Sequence, residues 1–233
     1  MHEITLSGPG RNALGSEMMA YILDELEKAA GKPILLSGGG ETFSAGLNLL
    51  ELSELDGPGM VHFLSRLEDT CAALYTYPGP TVAAVNGHAI AGGCVVALAC
   101  DLRIAARDAN IKIGLNEVAL GLRFPPSVLE IIRRRVPAHH LDAVLLGGGL
   151  HDPEEALRLG LVDEVADDVH WRAREVLGTL AAHPAGAYAA LKNDLRGASL
   201  EVDPAKRESF LQDGLSLWTS EAFRDKIRQV LKK

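Results

Sequence analysis

The chain has 233 residues, 47% hydrophobic and 23% charged, which is enough to bury one sizeable core without disulfide or metal staples. Its formal net charge of −8 argues against general nucleic-acid binding, because a phosphate backbone would be repelled, yet leaves room for an anionic small molecule held by a local cluster of donors. The three cysteines, Cys71, Cys94 and Cys100, are odd in number, sit in apolar surroundings and do not match zinc spacing, so they read as buried free thiols of a reducing compartment.

The N-terminal MHEITLSG carries no basic segment followed by an apolar run, and no apolar run reaches membrane-spanning length. The C-terminal VLKK is not a peroxisomal address. A cytoplasmic protein without membrane contact is expected. Glu3–Leu6 reads as a strand broken by Gly8-Pro9-Gly10. Met19, Ile22, Leu23, Leu26 and Ala30 recur at helical spacing, with Ser16 as N-cap and Gly31-Lys32-Pro33 as the stop. Ile34–Leu36 is a buried strand, and Ser37–Thr42 is a Gly-rich loop that lacks the Gly-Lys-Ser/Thr of a phosphate loop. Phe43–Leu49 follows as a second place where small residues expose backbone. Met60, Leu64, Leu67, Cys71 and Leu74 mark an amphipathic helix stopped by Pro78-Gly79-Pro80.

Thr81–Asp101 (TVAAVNGHAIAGGCVVALACD) organises the rest. A β-branched strand, Thr81–Val85, turns at Asn86-Gly87 and reaches Gly92-Gly93 ahead of an apolar helix, Cys94–Cys100. This aims unsatisfied N–H groups at one spot, suited to a phosphate, a carboxylate or an oxygen that becomes negative during reaction. Alternatively, Gly92-Gly93 only lets a helix pack close to a strand. Further on, Leu102–Ala105 is a strand, Val128–Val136 a basic helix, Ala138–Leu146 a helix, Asp152-Pro153 a capped helix start, and Gly160–Val165 a strand. From His170 the pattern is helical, with breaks at His183-Pro184 and Asp203-Pro204; Phe210, Leu215, Trp218, Phe223, Ile227 and Leu231 mark one face of a last helix. The alternation of strands and helices gives an α/β architecture with a C-terminal helical region.

The chain resembles the enoyl-CoA hydratase/isomerase, or crotonase, superfamily in Asn12-Ala13-Leu14, Phe43–Leu49, Thr81–Asp101, Ile113–Leu122 and Gly160–Val165. The Asn116-Glu117 segment and the final helix are closer to the Δ3,Δ2-enoyl-CoA isomerase branch. The resemblance implies a crotonase-like spiral of ββα units over residues 1–165. It also implies a C-terminal helical region over 166–233 used in oligomerisation, as a homotrimer or hexamer. It implies an acyl-CoA thioester as substrate and no separate cofactor, since coenzyme A travels with the substrate. Two backbone N–H groups, mapping onto Leu47 and Gly92, would hold the thioester oxygen, and such donors stabilise the enolate formed when the adjacent carbon loses a proton. Ser44, Ala45, Gly46, Asn48, Val95 and Phe124 map to the substrate-binding surface.

Hydratases of this family use two glutamates. One would fall at position 95, which is Val95, and the other at Glu117, which is present. Val95 cannot move a proton, whereas one carboxylate suffices to shift a double bond, and an apolar neighbour raises its pKa. Glu117 is therefore the expected catalytic acid/base of an isomerase. A hydratase, decarboxylase or thioesterase on the same scaffold is the alternative, and a non-catalytic acyl-CoA-binding protein is the alternative from another class. Asn48 stands where many relatives carry Asp, and Leu122–Pro126 replaces the Pro-Gly-x-Gly-Gly run of hydratases. His88 reads as a pocket-wall or solvent-facing residue, and His139-His140 cannot share a helix face for a metal. Arg133-Arg134-Arg135 reads as a solvated face, with contact to the CoA phosphates as the alternative, and Arg11 and Lys226 are similar candidates for that contact.

Overall fold

The computed structural model describes residues 1–200 and 202–231; Lys232 and Lys233, which end the C-terminal run read above, lie outside the described residues. Among the described residues nine strands form two sheets. The larger has the order β1 (His2–Leu6), β2 (Ile34–Gly38), β4 (Thr81–Val85), β6 (Leu102–Ala106) and β9 (Glu164–Ala166), all parallel. The smaller has the order β3 (Thr42–Ser44), β5 (His88–Ile90), β7 (Ile113–Gly114) and β8 (Leu150–His151), with only the last pair antiparallel. The pairs β2–β3, β4–β5 and β6–β7 each send their first strand to the large sheet and their second to the small one. This is the spiral of ββα units that the resemblance implies.

The apolar runs follow from burial on both faces, as a parallel sheet requires. Ile4, Leu6, Ile34, Leu36, Ala83, Val85 and Ala105 point into the main core. The alternate residues Leu35, Val82, Ala84 and Ile104 meet Val169, Ala173 and Leu177 of the helix Val169–Ala181. That helix, which the expected division assigns to the C-terminal region, thus covers the outer face of the large sheet.

The helix Gly57–Thr76 starts where the Asp56 carboxylate accepts the Gly59 N–H at 2.7 Å, and it buries Met60, Phe63, Leu64, Leu67, Cys71 and Leu74. The helix Pro153–Leu159 starts as expected, Asp152 accepting the Glu155 N–H at 2.9 Å with Pro153 in the first turn. Cys71, Cys94 and Cys100 are buried free thiols, each pushed up to about 12 by desolvation.

Four local expectations are corrected. Ser16 is the first residue of the helix Ser16–Ala29 and not its cap; its N–H and hydroxyl donate to the Glu51 carboxylate, which approaches from a distant segment. Thr42–Ser44 and His88–Ile90 are strands, although they read as loop and turn. Gly160 ends the preceding helix at φ 78, so the last strand is Glu164–Ala166 alone. The expected last helix is broken: a π turn, Phe210–Gly214, leads into Leu215–Trp218, and Glu221–Leu231 follows after Thr219 and Ser220.

One buried charge cluster carried no signal in the sequence reading. Asp101 pairs with Lys192 Nζ at 2.8 Å and with Arg196 at 2.8 Å, accepts the Tyr188 hydroxyl at 2.8 Å, and takes the Thr81 N–H at 2.8 Å. It fastens the helix Ala185–Arg196 to the end of the spiral. Arg135, expected on a solvated face with Arg133 and Arg134, turns inward and donates to the carbonyls of Leu98, Cys100 and Asp101. It caps the C-terminus of the helix Gly92–Ala99, where a cation is favoured.

Candidate active site

The helix Gly92–Ala99 begins at Ala91, a non-glycine residue held at φ 51 and ψ −122. Its position is set by the Ala91 N–H, which donates to the Gly114 carbonyl of β7 at 2.8 Å, and by the Val95 N–H, which closes on the Ala91 carbonyl at 3.0 Å. Backbone strain of this kind persists where the surroundings over-determine it. The first turn packs so tightly on β3 that a Cβ at Gly93 would lie 2.4 Å from the Ser44 carbonyl oxygen. The two readings of Gly92-Gly93 therefore combine, because close packing brings the helix start to the Phe43–Leu49 segment.

Within that segment Gly46 has φ +98, and a Cβ there would stand 3.6 Å from Gly92 N. The Ala45 N–H donates to the Arg11 carbonyl at 3.1 Å, the Gly46 N–H to the Ser44 hydroxyl at 3.3 Å, and the Asn48 N–H to the Leu14 carbonyl at 3.0 Å. Among the described residues, the N–H groups of Leu47 and Gly92 have no acceptor. The two segments that carry these free donors are in contact, since a Cβ on Gly92 would lie 2.9 Å from the Leu47 Cδ2.

Ala45, Leu47 and Ala91 line a cavity of about 290 Å³ whose walls also include Leu49, Leu52, Ile90, Leu120, Leu122, Leu150 and Val230. Asn116 and Glu117 are its polar members. Glu117 opens the 3₁₀ turn Glu117–Leu120 and is 6% exposed. Among the described residues, its Oε2 and the Asn116 Oδ1 are buried without a hydrogen-bond partner. Desolvation pushes the Glu117 carboxyl from an ordinary value of 4.5 up to about 8, against a smaller opposing pull from its own backbone N–H. A buried carboxyl with one free oxygen in an apolar chamber can take up and release a proton near neutral pH.

Trp218 and Phe223 also line the cavity. They meet edge to face at 5.7 Å, and the Trp218 Nε1–H donates to the Arg123 carbonyl at 2.9 Å. Arg224 donates to the carbonyls of Ser53 and Leu55, and Lys226 to that of Ala119 at 2.5 Å. These bonds strap the helix Glu221–Leu231 to both the 49–55 segment and the Glu117 turn, so the Lys226 ammonium is engaged by a backbone carbonyl. The aromatic signal was visible in the sequence, but periodicity alone does not say that the two rings would face their own chain's cavity.

The expected site residues thus divide. Ala45, Leu47 and Glu117 line the cavity, whereas Gly92 is not part of its lining and follows Ala91, which is. Asn48 lines a neighbouring groove of about 640 Å³ with Thr5, Ser7, Gly15, Ser16 and Glu51, and its Oδ1 caps the helix Leu49–Glu54. Ser44 is fully buried and its hydroxyl donates to the Asn12 carbonyl at 2.8 Å. Val95 is 1% exposed within the core. Phe124 lines a different cavity, of about 340 Å³, with Arg123, Pro126, Leu129, Arg133 and Phe210. His88 accepts the Lys112 N–H at 2.9 Å, in a separate groove. Among the described residues no group of three or more His, Cys, Asp or Glu could hold a metal, and no helix is long and apolar enough to cross a membrane.

Residues 1–221 match the sequence model of the family described as enoyl-CoA hydratase/isomerase. The chain belongs to the enoyl-CoA hydratase/isomerase family. This family member is 32% identical over 235 residues to the mouse (Mus musculus) protein named enoyl-CoA delta isomerase 1, mitochondrial, covering 98% of this chain and 81% of that one. Its fold matches the crystal structure of human mitochondrial delta3-delta2-enoyl-CoA isomerase with a TM-score of 0.90 at 27% identity, over 99% of this chain and 92% of that one. It also matches the enoyl-CoA hydratase of Bacillus halodurans with a TM-score of 0.84 at 27% identity, over 97% and 95% of the two chains. Both reaction names occur among its relatives, so the comparisons identify an enzyme of this family and leave the choice of reaction to the site.

Proposed function

We propose that this family member shifts the double bond of an acyl-CoA thioester from C3–C4 to C2–C3, with Glu117 as the single acid/base and the Leu47 and Gly92 N–H groups as the oxyanion donors. The observation that carries the reading is the isolation of Glu117: it is the only carboxylate lining the apolar cavity among the described residues. Val95, at the position of the second hydratase glutamate, supports the same choice. In the proposed reaction the Glu117 carboxylate takes a proton from C2 of a 3-enoyl-CoA. The C–H electron pair moves into the C2–C1 bond and the carbonyl pair onto the thioester oxygen, giving a dienolate. Two preorganised donors in a dry chamber stabilise that oxygen, each contributing about 10²–10³ in rate. Glu117 then returns the proton to C4 as the electrons flow back, leaving the C2–C3 double bond. The apolar walls suit a hydrocarbon acyl chain and exclude the water that a hydratase must add. This chemistry calls on no group beyond the carboxylate and the two donors, with coenzyme A carried by the substrate.

The test offers 3-hexenoyl-CoA and 2-hexenoyl-CoA separately. Conversion of the first to 2-hexenoyl-CoA, without hydration of the second, supports the reading; dominant formation of 3-hydroxyhexanoyl-CoA contradicts it. A homotrimer or hexamer belongs to the same proposal, supported by Leu191 and Leu195, which are 62% and 66% exposed on the helix Ala185–Arg196; light scattering of the purified protein decides it. The three buried free thiols support a reducing compartment such as the cytoplasm.

A further inference from the structure

Leu47 belongs to no helix or longer strand, only to a single bridge with Leu14, so the direction of its N–H has to be imposed by neighbouring backbone. The neighbouring backbone is the turn Gly10–Asn12. Gly10, Arg11 and Asn12 have φ values of 66°, 59° and 60°, three left-handed residues in succession. Only glycine adopts this conformation freely, so such a turn persists only when something outside it holds it.

Asn12 is 5% exposed and its side chain does the holding. Its Nδ2 donates to the Gly39 carbonyl at 2.9 Å and to the Thr42 carbonyl at 2.6 Å, while its Oδ1 accepts the Gly8 N–H at 3.2 Å. One amide thus joins the turn to the loop between β2 and β3. The carbonyls that the turn presents then grip the next segment. The Arg11 carbonyl takes the Ala45 N–H at 3.1 Å, and the Asn12 carbonyl takes the Ser44 hydroxyl at 2.8 Å. Leu14 continues the grip, donating to the Gly46 carbonyl at 2.7 Å and accepting the Asn48 N–H at 3.0 Å. Residues 11–14 therefore bond to 44, 45, 46 and 48, and leave Leu47 alone.

We infer that Asn12 is a positioning residue for the Leu47 donor: it locks the left-handed turn that grips Ser44 and Ala45 and leads into Leu14, whose N–H and carbonyl fix the peptide planes on both sides of Leu47, so that this one N–H faces the cavity. The inference rests on the oxyanion reading proposed above. Asparagine suits the position on two counts. It tolerates φ near 60°, and it alone among small side chains offers two donors and an acceptor. Aspartate would set a carboxylate oxygen against the Gly39 and Thr42 carbonyls. Glycine would adopt the φ and leave both carbonyls without a donor.

The test uses the full chain and butyryl-CoA labelled with carbon-13 at the thioester carbonyl, a saturated probe that has no double bond to shift. Difference infrared spectroscopy reads the carbonyl stretch, which moves to lower wavenumber when two donors polarise it. Asn12→Gly is expected to lose half or more of that downshift and to lower kcat for 3-hexenoyl-CoA by about 10²-fold, with KM and the butyryl-CoA Kd within about threefold of wild type. Ser44→Ala deletes one oxygen and with it the bond to the Asn12 carbonyl and the acceptor of the Gly46 N–H; it gives a smaller loss in the same direction and decides the matter if Asn12→Gly does not fold. A lowered melting temperature with the downshift and kcat intact makes Asn12 a structural residue only and overturns the inference. A wild-type protein that polarises butyryl-CoA but does not turn over 3-hexenoyl-CoA removes the isomerase reading and leaves the role of Asn12 standing. Wild-type binding without any downshift overturns both.

Discussion

Gly93 and Ser44 are pressed together until no side chain fits between them: a Cβ on Gly93 would lie 2.4 Å from the Ser44 carbonyl oxygen and 2.8 Å from the Ser44 Cβ. This contact joins the start of the helix Gly92–Ala99 to β3 and sets Gly92 beside Leu47. Gly93→Ala must push the two apart, because the nearest obstructing atom is a backbone carbonyl oxygen. The overpacking is expected to cost about 1–3 kcal/mol, read as a lowered urea midpoint. A fall in kcat larger than the fall in acyl-CoA affinity is expected with it, read in steady-state assays.

Glu117 makes stability and activity respond to pH in opposite directions. Burial raises its carboxyl from 4.5 to about 8, so between those two pH values the folded chain holds a proton that the unfolded chain has released. The stabilising contribution of that proton is complete below the unfolded value and is lost as pH rises through about 8. Glu117→Gln removes the titration. Its melting temperature should match wild type near pH 4.5, exceed it by a growing margin between pH 4.5 and about 8, and keep that margin above about 8. Meanwhile kcat/KM of the wild type, which needs the ionised base, should rise with pH and level off above about 8 with the slope of a single ionisation.

Trp218 bounds the Glu117 cavity, 3% exposed and tethered through Nε1 to the Arg123 carbonyl. Trp218→Ala should cost about 3–5 kcal/mol and move the kcat/KM optimum toward longer 3-enoyl chains, because the ring's volume joins the cavity. Trp218→Phe keeps the contact with Phe223 and loses only the hydrogen bond, worth about 1 kcal/mol, so its chain-length preference should stay near wild type. A series of thioesters of increasing length reads both variants.

Asp101 is the hub that anchors the helix Ala185–Arg196, and Lys192, 5% exposed, has Asp101 and the Gly79 carbonyl as its partners. Burial pulls the Lys192 ammonium below its ordinary range while Asp101 opposes that pull. Asp101→Ala leaves this cation buried without its counter-ion, a change that costs about 3–5 kcal/mol. Chemical denaturation should show the loss, while the kcat of the fraction that remains folded stays near wild type, since the hub lies outside the cavity lining.

The large sheet was legible because its central strands, buried on both faces, read as largely apolar runs, as β2 and β4 do, while β1 alternates, with Ile4 and Leu6 buried and Glu3 and Thr5 exposed. The small sheet was not. Its strands are two or three residues long, and Thr42 pairs with His88 across more than forty positions, so no local period could announce them. Glu117, Leu47 and Gly92 came from the family resemblance, and composition alone would have left Glu117 among many glutamates. Trp218 and Phe223 stood out as aromatics, but the break at Thr219 and Ser220 that turns them toward their own cavity is a tertiary matter. Asn12 was visible as part of a motif, while its work is done by hydrogen bonds to Gly39 and Thr42 that no spacing rule encodes.

The proposal that a single buried carboxylate moves the proton is tested most directly by the rate of 3-hexenoyl-CoA isomerisation in Glu117→Gln, measured on protein whose melting curve and butyryl-CoA affinity show it folded and able to bind. Glutamine keeps the size and removes the base, so kcat should fall by about 10²–10⁴-fold with binding preserved. Turnover at the wild-type rate in that variant would contradict the account.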